Sequence, residues 1–141
     1  METKTALAVG EALFTHFSAL QELIGEPLRA VWHIASQGCL DQVILDLGPI
    51  ALVVSADPDD SIDFRCMKTS DPVRTDSVDA SHHQCWQSSI GVPFGWAWVT
   101  VNQQGYCDGL LLSFGDIVPQ VVMNVIASEI RLRRISMTAT A

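Results

Sequence analysis

The sequence predicts an α+β fold, with an N-terminal helix packed on a curved, mainly antiparallel sheet of six to eight strands. Three observations carry that prediction. Residues 11–24 (EALFTHFSALQELI) place Leu13, Phe17, Leu20 and Ile24 on one helical stripe, with Phe14 and Leu23 flanking it. Short apolar runs then follow one another at turn-sized intervals, which favours an antiparallel meander because parallel neighbours need long crossovers. Finally, Phe94 to Phe114 (FGWAWVTVNQQGYCDGLLLSF) reads as a β-hairpin whose arms are apolar on both faces.

The helix is expected to stop at Gly25 and Pro27, which cannot continue it. Leu28–Ala35 alternates, so that Ala30, Trp32 and Ile34 share one strand face and Arg29, Val31 and His33 the other. Gln37-Gly38 turns the chain into a strand near Leu40–Leu47, and Gly48-Pro49 turns it again into Ile50–Ser55. The acidic loop ADPDDS leads to a fourth strand, Ile62–Met67; its aspartates Asp57, Asp59, Asp60 and Asp63 lack the glycine and distal glutamate of a calcium loop and suit a β-turn. From Lys68 to Ser89 the periodicity is lost among Asp, Ser, Thr, His and Gln, and the expectation is a long polar surface loop.

In the hairpin, strict alternation puts Phe94, Trp96 and Trp98 on one face and Ala97, Val99 and Val101 on the other. Asn102-Gln103-Gln104-Gly105 fits a type I turn, with the glycine left-handed at a bulge that sets the register. Residues 117–135 fit either helix or strand; their β-branched content favours strand, bent near Ser128. With no internal repeat and no linker, residues 1–141 read as a single domain.

At 141 residues and 48% apolar content the chain can build a core without staples. Its formal charge of -8 argues against nucleic acid and against an anionic membrane surface. A cationic protein partner or a small ligand fits that charge, which also keeps an apolar protein soluble. No apolar run is long enough to span a bilayer, and the first residues do not resemble a signal peptide, so a cytoplasmic location is expected. Cys39, Cys66, Cys85 and Cys107 show no paired spacing and are expected as free thiols. Cys85, in the polar loop, is the one expected to react; the others behave as small buried hydrophobes.

The residues able to carry chemistry are few. His82, His83 and Cys85, with Asp76 or Asp79, are metal-ligand types, but their spacing matches no zinc pattern and a second ligand pair is missing. Cys85 with either histidine lacks the electropositive setting that a catalytic thiol needs. His33 reads as a satisfied, half-buried imidazole, and His16 as the edge of the helical stripe. Tyr106 and Asp108 share a strand face and are candidates for a polar ligand, as are Arg131 and Arg133, which project together from the last strand. No catalytic residue and no cofactor is assigned, because no nucleotide-binding, hydrolase or metalloprotease motif is present.

The stretch NQQGYCDGLLLSF followed by SEIRLRR resembles small uncharacterised bacterial domains of unknown function, a resemblance that covers the C-terminal third and implies a bacterial origin and no known activity. Some such small acidic proteins serve as immunity partners of toxins. The sequence thus leads to a non-catalytic protein-interaction module, self-associating as a homodimer through an apolar sheet face, with Phe94, Trp96 and Trp98 at the contact. The alternative is a small-molecule binder or metal-dependent enzyme using the 76–85 loop with Tyr106 and Asp108; an acidic immunity partner is a further alternative.

Overall fold

The structure, a computed structural model, describes residues 18–58, 60–68 and 76–135. The expected meander forms: β1 (Ala30–Ser36), β2 (Cys39–Asp46), β3 (Ile50–Ala56) and β4 (Ile62–Lys68) pair in sequence order, each antiparallel to the last. A two-residue strand, β5 (Val78–Asp79), adds to the free side of β1 and completes a sheet of order β4-β3-β2-β1-β5. The remaining strands, β6 (Phe94–Val101), β7 (Cys107–Phe114), β8 (Val121–Ile126) and β9 (Glu129–Arg134), form a second antiparallel sheet in chain order.

The two sheets face each other, with β7 against β4 and β9 against β2 and β3. Val43, Leu45, Leu52, Val54 and Phe64 of the first sheet join Ala97, Leu110, Leu112, Met123 and Ile130 of the second in one buried cluster. Apart from one helical turn the described residues are all-β in two sheets, which overturns the expected α+β arrangement of one helix on one sheet of six to eight strands. Of the expected helix, residues 11–17, including His16, lie outside the described residues. Ser18–Gln21 make one helical turn that runs on as turns to Gly25. That turn suffices to bury Leu20 and Leu23, and the cover assigned to a helix comes from the second sheet.

Local turn chemistry places the strands. Gln37 (φ 55°) and Gly38 (φ 81°) are both left-handed, the two-residue turn whose twist matches a β1–β2 hairpin. Within residues 117–135 the chain forms the strands β8 and β9, as its β-branched content implies, and the bend near Ser128 is a complete hairpin turn at Ala127 (φ 54°) and Ser128 (φ 61°). Neither residue is glycine, so the turn needs outside support. The Ser128 N–H donates to Asp60 Oδ1 at 2.6 Å and its hydroxyl donates to the Pro58 carbonyl at 3.2 Å, tying the β8–β9 turn to the β3–β4 loop of the other sheet. In the β6–β7 turn Asn102 Oδ1 accepts from the N–H groups of Gln104 and Tyr106, and Gly105 is left-handed (φ 86°), as the NQQG sequence requires.

Two expectations change. Residues 69–75 of the expected surface loop lie outside the described residues, but residues 76–91 hold a strand and successive turns, and Trp86 is fully buried, with Ala80, Cys85 and Ser89 also inside. The segment behaves as a plug against β1. In β6, the register shifts between Phe94, opposite Phe114, and Trp96, opposite Ser113, so Gly95 is an extra residue. A single inserted residue reverses the alternation. Phe94, 2% exposed, turns into the core with Ala97, while Trp96 and Trp98 stay on the outer face.

Candidate functional site

Along β6 the described chain leaves an apolar groove of about 380 Å³, walled by Leu20, Gln21 and Ile24 on one side and by Trp96 and Trp98 on the other. Trp96 is 39% exposed and Ile24 44%, in a chain where most large apolar groups are inside. Phe94 closes the groove from below, its ring edge-on to Phe114 at 6.0 Å. Of the three expected contact aromatics, then, Trp96 and Trp98 reach the surface and Phe94 does not. A second, more polar cavity of about 450 Å³ is bordered by Asp41, Gln42, Ser55 and Asp76 and by Ser128 of the β8–β9 turn.

The histidine-rich segment is organised around Trp86. Its indole N–H donates to His33 Nε2 at 3.0 Å, and the His33 and His83 rings lie 5.6 Å apart. Burial, with His83 second, lowers the His33 pKa to about 4. His83 Nδ1 accepts from the Cys85 N–H, and Asp79 Oδ1 accepts from the Ser81 N–H; the Ser81 hydroxyl first, and this N–H second, hold the Asp79 carboxyl below its ordinary value. These are uses in turns. Cys85, expected to be the reactive thiol, is buried, and desolvation raises its pKa while Arg134 opposes weakly. Burial pushes the Cys107 thiol up to about 11. Cys39 and Cys66 are half-buried and also raised, Cys39 chiefly by the Glu129 carboxylate. Among the described residues, no three histidine, cysteine or acidic side chains gather in a metal-binding group.

The His33 geometry sets a pH response. In the unfolded chain the imidazole keeps its ordinary value near 6.5, so as pH falls the unfolded state takes the proton first. The His33 contribution is intact above that value and is lost on the way down to about pH 4. Because the ring is partly open to water, a screened loss of about 1–2 kcal/mol is expected. Urea unfolding at pH 7.5 and 4.5 should show a steeper fall for the native chain than for His33→Gln; equal slopes would contradict the assignment.

Tyr106 and Asp108 are placed elsewhere, at the β6–β7 turn. Asp108 is the extra residue of a second bulge, opposite Thr100, and its carboxylate accepts the Thr100 hydroxyl at 2.6 Å. On the same outer face, Gly109 and Asn124 separate Thr100 from Arg131. Arg131 pairs with Glu129 of its own strand at 3.7 Å, and Arg133 donates to Asn124 Oδ1 at 3.5 Å. Arg134, the third arginine of the same sequence cluster, donates to the Cys85 carbonyl at 3.0 Å and to Ser89 Oγ at 3.2 Å, clamping the Trp86 plug to β9. His82, His83, Cys85, Tyr106 and Asp108 line neither cavity.

No described helix is long and apolar enough to cross a membrane. Among known proteins, a family model described as a family of unknown function (DUF6334) matches residues 13–139, and the chain belongs to that family. The match extends the resemblance from the C-terminal third to almost the whole chain. No curated protein and no solved structure matches.

Proposed function

We propose that this member of DUF6334 is a non-catalytic protein-interaction module that associates with itself through the apolar surface around β6. The observation that carries the reading is the groove beside β6, where Trp96 and Trp98 stand outside the core next to the exposed Ile24. Exposed aromatic groups beside a concave apolar surface have the composition of interface centres, where tryptophan dominates the binding energy. The buried, raised-pKa Cys85 and the separation of the histidine cluster from Tyr106 and Asp108 give the catalytic alternative little support. The immunity-partner alternative rests on acidity alone.

Light scattering over a micromolar concentration series is expected to show a monomer–dimer transition. Combined Trp96→Ala and Trp98→Ala substitution should weaken it about thirtyfold or more, the loss of about 2 kcal/mol typical of a central aromatic. A monomer at every concentration would overturn the reading.

A further inference from the structure

We infer that two copies of this chain join edge to edge through β6, in an antiparallel pairing whose two-fold axis passes at Val99. The inference rests on the self-association reading and specifies its geometry. Phe94 aims its main chain away from β7: its N–H donates to the Glu26 carbonyl at 2.9 Å and its own carbonyl accepts from the Gly25 N–H at 2.8 Å. On the other side of the hairpin, the Leu112 carbonyl accepts from the Gln120 N–H at 2.9 Å and so faces β8, which makes Ala97 and Leu112 a pair without mutual hydrogen bonds. Asn102 faces β7, donating to the Tyr106 carbonyl at 2.9 Å. Between these fixed points Ala97, Val99 and Val101 alternate with Trp98 and Thr100, and direct their N–H and C=O groups to the open edge.

Among the described residues nothing covers that edge, and the strand itself carries no protection. Of the other sheet edges, β4 carries Asp63, Arg65 and Lys68, β9 carries Glu129 and three arginines, and β5 is two residues long. Charge and shortness are the usual protections against pairing. From Trp96 to Val101 there is neither a charge nor a proline, and the turn NQQGY that follows is uncharged too. In a chain of net charge -8, this stretch lets two copies approach without opposing carboxylates within the paired strands.

A second copy also fits the length and shape. With Val99 opposite its own mate, Ala97 of each copy faces Val101 of the other, and all the outward groups of these three residues are paired. The partner's Asn102 then lies opposite Trp96, so its hairpin ends just before Phe94, whose outward groups Gly25 and Glu26 already occupy. Val101, 51% exposed, would enter the other copy's groove beside Ala97 and Leu20, and the exchange is reciprocal, as a two-fold contact demands.

Amide hydrogen exchange on the full chain tests this directly, read at protein concentrations below and above the transition seen by light scattering. The Ala97, Val99 and Val101 amides are expected to slow at least about tenfold on association. Val101→Asp, at a half-exposed position that leaves the monomer intact, should abolish both the slowing and the dimer. Equal protection at every concentration would mean that the chain covers its own edge, and overturns the inference. A dimer in which these amides stay fast, or one that survives Val101→Asp, also overturns it while leaving self-association standing. Absence of any dimer removes both.

Discussion

Trp86→Ala is expected to cost about 3–5 kcal/mol, the range for removing a fully buried tryptophan, and to lower the melting temperature by something on the order of 10–20 °C. Trp86 has no exposed surface, and it belongs to the same buried cluster as Leu45, Leu52 and Phe64. Its loss leaves a cavity that the flanking turns cannot refill cheaply, because they are fixed at both ends. Ala80 N–H donates to the Val31 carbonyl at 2.7 Å, and Arg134 holds the Cys85 carbonyl. The substitution also leaves His33 Nε2 without the indole donor that now fills it. Trp86→Phe separates the two effects, since it keeps most of the volume and loses the hydrogen bond, and about 1–2 kcal/mol is expected from it. Urea unfolding of the three proteins measures both differences. A surface tryptophan would give changes within about 0.5 kcal/mol, and such a result for Trp86→Ala would show that the 76–91 segment is no part of the core.

What the sequence made legible was local. Gln37-Gly38, Gly48-Pro49 and Asn102 to Gly105 are turn signals that act over a few residues, and the strands they separate stand within two residues of their expected bounds. The choice of strand for residues 117–135 rested on β-branched content, a property of each residue by itself. The distribution of strands between two sheets was not legible. Val53 and Val54 ask for cover on both faces of β3, but the request reads the same whether a helix, a sheet or another subunit answers it. Counting alternate residues failed at Gly95 because a bulge breaks the period on which the count depends, although a glycine inside a strand is itself a warning of one. Trp86 was hidden for the opposite reason. The residues around it are polar, and only the size of one side chain, with Ile90 and Val92 following, argued for burial. In the candidate site, the shared face of Trp96 and Trp98 follows from their spacing in the sequence, whereas the groove they flank depends on Leu20 and Ile24, which are over seventy residues away in the chain.

Gly95→Ala is expected to destabilise the protein by about 2–3 kcal/mol through overpacking, more than one added methyl group costs at an ordinary strand position. A Cβ at Gly95 would collide with the Asp116 main-chain carbonyl and lie 2.9 Å from Ser113 Oγ, which is itself buried. Backbone cannot rotate aside as a side chain can. Either the turn after β7 moves, drawing the Gly115 N–H away from the Pro93 carbonyl that accepts it, or β6 straightens and expels the extra residue. Straightening would turn Phe94 out of the core and separate it from Phe114. Gly109→Ala is the matched comparison. There the new Cβ meets the Thr100 hydroxyl and the Asn124 amide most closely, side-chain groups able to shift at the expense of the Thr100–Asp108 hydrogen bond, and the one main-chain neighbour, the Met123 carbonyl, stands off at 3.3 Å. The ordering that follows, Gly95→Ala clearly less stable than Gly109→Ala, is checked by urea unfolding of the two variants side by side. If Gly95→Ala unfolds with the native midpoint, the bulge does not need its glycine, and the inward position of Phe94 must be fixed by the Gly25 and Glu26 hydrogen bonds alone.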